Sequence, residues 1–329
     1  MALQNTFPRL RTLFQVAVGA GLLALLVAFV DPGELTAALR TASPGWAAVG
    51  FGWFAVMMGL DALRFQVAFR AYRFDYPTAL RVQLVGLFLS NFTPGMSGTE
   101  VYRVYTAHRA ERGLVRSITL AAVVRAVGVV SFALLASAYA LAYGRRVTDL
   151  LEGRVTLSAL TSPSTWIVVA AAGGLLFVAF AAVYLRSARW PATGFRELLS
   201  RIAESWRQLG LRAMAALVAV SLLMAGAGCL SLHALTRSMV EAPPPPDMIV
   251  PLTLLTVGSL LPISFGSLGV REGAVVVGLA ALGVSGEIAT VVALLHRGCL
   301  WLLSLAGGVV WLRTRHRQVG RHVPSSRSR

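Results

Sequence analysis

From Thr12 to Val30 and from Ser164 to Leu185 the chain carries no charged side chain at all. Residues 45–64, 117–143, 213–236 and 288–312 are as apolar, each with no more than two charges. A helix needs about 20 residues to cross a hydrocarbon core about 30 Å thick. In that medium every backbone N–H and C=O must be paired within the segment, so only helices and closed barrels are available. These runs are continuously apolar rather than alternating, which selects helices. Of the 329 residues, 56% are hydrophobic and 13% charged, against roughly 25% charged in a soluble domain. The expected fold is therefore an all-α polytopic membrane protein. The run after Arg9 and Arg11 is long for a signal-peptide core, and no small-x-small site follows it before Asp31, so it is expected to persist as a first span.

Charge between the runs orients them. All thirty basic residues are arginine, and they concentrate in short connections, as cytoplasmic loops do. The net charge of +16 is accounted for in this way, and no nucleic-acid partner is expected. The connection holding Arg64, Arg70, Arg73 and Arg81 and the one holding Arg109, Arg112 and Arg116 are both basic. A simple span between them would place one outside. The intervening segment, residues 82–99, is broken by Asn91, Pro94, Gly95 and Gly98, which fits a re-entrant helical hairpin returning to its own side. Residues 186–212 hold six arginines against two glutamates, with Phe195, Leu198, Leu199, Ile202, Trp206 and Leu209 at helical spacing. That pattern predicts an amphipathic helix at the cytoplasmic membrane surface. After a proline-rich external loop (residues 243–246), residues 248–286 contain a second break at Pro262, Gly266 and Gly269, followed by Arg271, Glu272 and Gly273. For the last span to run inward before the basic tail, this segment must be a hairpin entering from outside.

The expected layout is about six transmembrane helices plus two re-entrant hairpins, in one membrane domain spanning 1–313. Its halves, about 1–160 and 161–313, form an inverted repeat. Residues 314–329 form a basic tail with no pattern for a fold. Both termini are expected on the cytoplasmic side of the cell membrane. Pro94 and Gly98 are four residues apart, as are Pro262 and Gly266. Inverted repeats with broken elements meeting at mid-membrane are a transporter device.

Each half also places an arginine at depth, Arg125 nine residues after Arg116 and Arg297 ten after Glu287. At about 1.5 Å per residue each is roughly 14 Å into the core, where an arginine costs at least about 2.5 kcal/mol. Both must face a partner or a polar interior, and Glu100 and Glu272 are the candidate partners. Two buried ion pairs that only fix packing would satisfy this. So would a cationic cavity for an anionic group such as a lipid phosphate, which the planar guanidinium suits. The candidate binding residues are Glu100, Arg103, Arg125, Arg271, Glu272 and Arg297. Asp61 and Arg64, at i,i+3, are expected to pair. His296 points to a different face from Arg297 and reads as a packing residue. Met57 and Met58 read as lipid-facing or core bulk. No metal-ligand spacing, catalytic constellation or cofactor motif is present, and a P-loop is impossible without lysine.

The segment Leu-Pro-Ile-Ser-Phe-Gly-Ser-Leu-Gly-Val-Arg-Glu-Gly (261–273) resembles the lysylphosphatidylglycerol synthase transmembrane-region family. So do Asn91 to Gly95 with Gly98, Glu100 and Arg103, and the arginine in the span after each motif. Ser267 stands where a second consecutive glycine is usual, a departure that reduces backbone freedom there. The resemblance implies lipid translocation between leaflets, of an aminoacylated phospholipid or a polyprenyl-phosphate-linked sugar. In the full synthase a soluble aminoacyl-transferase domain follows the membrane part; here a short arginine-rich tail follows it, so synthase activity is not expected of this chain. The function expected is a flippase moving an anionic or polyprenyl-phosphate-linked lipid through an Arg/Glu-lined cavity. The alternatives are an integral-membrane enzyme, or a non-transporting membrane partner, in phospholipid or lipid-linked glycan metabolism.

Overall fold

The structure is a computed structural model that describes residues 42–70, 74–93, 97–109, 114–152, 194–260 and 266–319. Among these residues there are helices and no strand. The helices are α1 (Pro44–Ala68), α2 (Tyr76–Ser90), α3 (Gly98–Arg109), α4 (Leu114–Glu152), α5 (Gly194–Arg237), α6 (Ile249–Leu260), α7 (Val270–Ala281) and α8 (Gly286–Val319), with a 3-10 turn at Pro245–Met248. Four stretches are long and apolar enough to cross a membrane: Pro44–Ala68, Arg116–Tyr143, Leu209–Arg237 and Gly286–Arg313. They coincide with four of the expected spans. The other two, 12–30 and 164–185, lie outside the described residues.

Local chemistry explains where these helices begin and bend. Proline occupies the first turn of α1 and of α2, where its missing N–H costs nothing. Asp75 caps α2 by accepting the Thr78 N–H at 3.3 Å. Gly210, at φ +76°, breaks α5 into a helix starting at Gly194 and the span that follows. The backbone of the expected surface helix is thus helical from 194 onward. Tyr143 bends α4 where its apolar stretch ends.

The remaining helices form two hairpins. Helix α2 has 15 residues and α3, α6 and α7 have 12 each. At about 1.5 Å per residue they are about 18–22 Å long, too short to cross a core of about 30 Å. The limbs run antiparallel. In the first hairpin Ser90 packs on Gly98, Gly86 on Thr99, and Gln83 bonds to Arg103. In the second, Gly258 packs on Val270 and Gly278 on Pro251. Helix α8 then lies against α2, with Gly307 and Gly308 facing Leu84 and Phe88.

Two apolar clusters hold the bundle together. One joins Phe54, Leu232, Leu235, Leu252, Leu279 and Val292; the other joins Phe65, Phe69, Val82, Val123, Val127 and Leu217. Large apolar side chains also point outward, among them Leu134, Leu141, Leu223, Leu302 and Leu305. A bilayer solvates such a surface, which water would not tolerate over so wide an area.

Candidate functional site

The two helix breaks face each other. The Gly266 N–H donates to the Thr93 carbonyl at 3.0 Å, and a side chain at Gly266 would meet the Asn91 backbone at 3.1 Å. At the first tip, Ser90 Oγ accepts the Thr99 N–H at 2.9 Å, and Thr93 Oγ1 accepts the Gly98 N–H at 2.8 Å. Asn91 Nδ2 reaches across to Ser304 Oγ on α8 at 2.6 Å. Side-chain oxygens thus take up donors that the interrupted helix leaves free.

The second tip needs left-handed backbone. Gly266, Ser267 and Gly269 have φ of 58°, 51° and 77°, a region glycine enters freely and serine does not. Glu272 folds back so that its Oε2 accepts the Gly269 N–H at 2.7 Å. Its Oε1 accepts Arg297 Nε. Arg297 also donates from Nη1 to the Gly266 carbonyl at 3.1 Å and from Nη2 to the Ser267 carbonyl at 3.2 Å. The pair is almost wholly buried, at 3% and 2% side-chain exposure. Arg297 and Glu272 therefore act as a clamp on the tip. Neither is among the residues lining the cavity described next.

That cavity, of about 260 Å³, lies between the two apolar clusters. Helices α1, α3, α4, α5, α6, α7 and α8 all contribute to its wall. Four arginines line it, Arg64, Arg103, Arg125 and Arg271, with the carboxylates Asp61 and Glu100. Arg125 Nη1 donates to Glu100 Oε1 at 2.6 Å, both side chains being about a quarter to a third exposed. Asp61 is shared. Its Oδ1 accepts Arg64 Nη2 at 2.7 Å, and its Oδ2 accepts Arg103 Nη2 and Gln83 Nε2, each at 2.8 Å. Arg103 also lies over the Phe65 ring at 5.4 Å. Arg271 Nη1 donates to Ser259 Oγ at 2.9 Å.

Of the residues singled out from the sequence, Glu100, Arg103, Arg125 and Arg271 come together around this cavity. Asn91, Gly98, Gly266 and Gly269 come together at the tips, and Pro94, Gly95 and Pro262 lie outside the described residues. The Arg125–Glu100 and Arg297–Glu272 partnerships each join residues 25 apart. Asp61 and Arg64 pair as their spacing predicts, yet their place in the cavity was not anticipated. Nor was that of Ser259, a hydroxyl in an apolar run, or the bond that Gln83, which does not line the cavity, accepts from Arg103. A carboxylate inside an apolar helix is itself a signal of such a site. Met57, Met58 and His296, read as bulk and packing, also line the cavity. His296 meets the Phe54 ring edge-on at 5.1 Å. Among the described residues no group of three His, Cys, Asp or Glu side chains could hold a metal ion.

A cavity of this kind offers guanidinium donors to an anion beside limbs of both hairpins, inside a bundle whose outer face suits lipid. No curated protein matches the chain. A family model described as the lysylphosphatidylglycerol synthase TM region matches residues 12–308, nearly the whole chain and including both tips and every cavity residue named above. The chain belongs to this family of multi-pass membrane domains, which is tied to lipid metabolism or transport.

Proposed function

We propose that the protein translocates a lipid with an anionic headgroup between the leaflets of the cell membrane. The cavity carries this reading. Its arginines face a space large enough for a headgroup and too small for acyl chains, so the chains would stay in the bilayer while the headgroup crosses. On this reading the two hairpins are re-entrant and enter from opposite sides, since their limbs are too short to span. The halves before and after about residue 160 are inverted repeats, both termini are cytoplasmic, and the tips gate the cavity alternately. The equal 25-residue separation of Glu100–Arg125 and Glu272–Arg297 supports the repeat.

The test is transfer of an acyl-labelled fluorescent anionic lipid in proteoliposomes, read by quenching from outside. Arg125→Ala and Arg271→Ala should abolish transfer while the protein stays inserted. Arg297→Ala should fail differently. It leaves Glu272 buried without its partner, a loss of about 3–5 kcal/mol, seen as a lowered unfolding temperature in detergent. Full transfer by the Arg125 and Arg271 variants would refute the proposal.

A further inference from the structure

The cavity wall is not neutral, and its charge is unevenly matched. The four guanidiniums Arg64, Arg103, Arg125 and Arg271 face two carboxylates, Asp61 and Glu100. Arg125 and Glu100 cancel one another's charge through a single contact, Nη1 to Oε1. Arg64 and Arg103 divide the single carboxylate of Asp61 between them, which leaves one positive charge over. Among the buried side-chain atoms without a partner in the described residues are two donors on this side, Arg64 Nε and Arg103 Nε, and one acceptor, Glu100 Oε2. Arg271 has a hydroxyl where the others have a carboxylate. Ser259 Oγ gives its own proton to the Leu255 carbonyl at 2.6 Å and accepts from Arg271 at 2.9 Å. It holds the guanidinium in place without cancelling its charge. The neighbouring carboxylate, Glu272, is taken up by Arg297 and the Gly269 N–H.

Two uncompensated positive charges therefore face one small cavity, one from the α1–α3 side and one from α7. In a site of low dielectric such charges are costly unless a ligand neutralises them. We propose that the cavity selects a headgroup carrying two negative charges, a phosphomonoester or a diphosphate esterified at both ends, with Arg271 and the Arg64–Arg103 pair as its two points of attachment. A phosphodiester, with a single charge, leaves one of them unmatched. The inference rests on the cavity being the headgroup site, and it adds the substrate class.

The experiment compares amphiphiles of one chain length with purified protein in detergent at pH 8: dodecyl phosphate, its methyl diester, and dodecyl diphosphate methyl-esterified on its outer phosphate, which carries two charges. A phosphomonoester loses its second proton near pH 6 and is a dianion there. The dianions should bind about tenfold more tightly than the diester, as expected for one more charge-assisted contact. Arg271→Gln and Arg64→Gln should each bring the ligands to within about twofold by removing one attachment point. Ser259→Ala, which keeps the charge but frees the guanidinium, should weaken all three together. Equal affinity for diester and dianions in the wild type, a preference that survives Arg271→Gln, or no binding above the detergent background would overturn the proposal. The transfer assay separates the two readings. Equal transfer of monoanionic and dianionic lipids refutes the charge selection alone. Dianion-selective binding without transfer of any lipid refutes translocation alone.

Discussion

Ser267 is a single residue at odds with its backbone. It sits at φ 51° between Gly266 and Gly269, both also at positive φ, and its buried hydroxyl has no partner among the described residues. A left-handed conformation costs a side-chain-bearing residue about 1–2 kcal/mol, and an unsatisfied buried hydroxyl about 1–3 kcal/mol more. Glycine removes both terms and adds roughly 0.5–1 kcal/mol of unfolded-chain entropy. What Arg297 and the Arg271 N–H use at this position is the carbonyl of Ser267, which glycine retains. Ser267→Gly should therefore raise stability by at least about 1 kcal/mol, or at least about 2 °C in unfolding temperature. A thermal unfolding curve in detergent checks this, and a lowered midpoint would mean that the hydroxyl has a partner in the membrane. The sequence marked this position as a departure from the glycine usual there. It did not reveal the sign of φ, because that follows from how Arg297, 30 residues away, holds the turn.

At the scale of elements, the breaks were legible and the packing that makes them hairpins was not. Proline, glycine and asparagine announce an interrupted helix through local backbone chemistry alone. The antiparallel return of each limb depends instead on small residues that meet only in three dimensions. A Cβ on Gly98 would collide with the backbone of Leu89 and Ser90, and one on Gly278 with the ring and backbone of Pro251. Nothing in the spacing of these glycines distinguishes them from Gly273, where a side chain would meet nothing within 4 Å. Gly98→Val and Gly278→Val should each force the limbs apart and destabilise the protein by about 1–3 kcal/mol or more, as overpacking does. Gly273→Ala should be neutral or slightly stabilising. The comparison of the three midpoints in one detergent is the measurement; equal effects would mean that the limbs are not in close contact. The cavity's own charges divide in the same way. Arg125 with Glu100 and Arg297 with Glu272 could be paired from depth and spacing. That Arg103 joins Asp61 as well as Gln83 of its own hairpin could not, since 42 residues separate it from Asp61.

For the whole molecule, what matters is how the two hairpins meet. Four membrane-long helices and the family follow from hydropathy and motif, because burial in lipid imposes a long uninterrupted pattern. The placing of the first tip depends on a few atoms: Thr93 O accepts the Gly266 N–H of the second tip at 3.0 Å, and Asn91 Nδ2 donates to Ser304 Oγ on α8 at 2.6 Å. The two ion pairs of 25-residue spacing also differ in exposure. Arg297 and Glu272 are sealed at 3% and 2% exposure, whereas Arg125 and Glu100 stand at 26% and 31%. If the protein alternates as proposed, this inequality reverses during transfer, and the contact between the first tip and α8 must break to allow it. Replacing Asn91 and Ser304 by cysteine puts two thiols where a hydrogen bond now joins the side chains. Oxidation should lock that contact and stop lipid transfer in proteoliposomes, and a reductant should restore it. Cys229 and Cys299 are buried and unpaired, so the reduced double variant and each oxidised single variant are the controls. Transfer that continues unchanged through the oxidised pair would show that the first tip stays fixed against α8 and that any gating motion lies elsewhere.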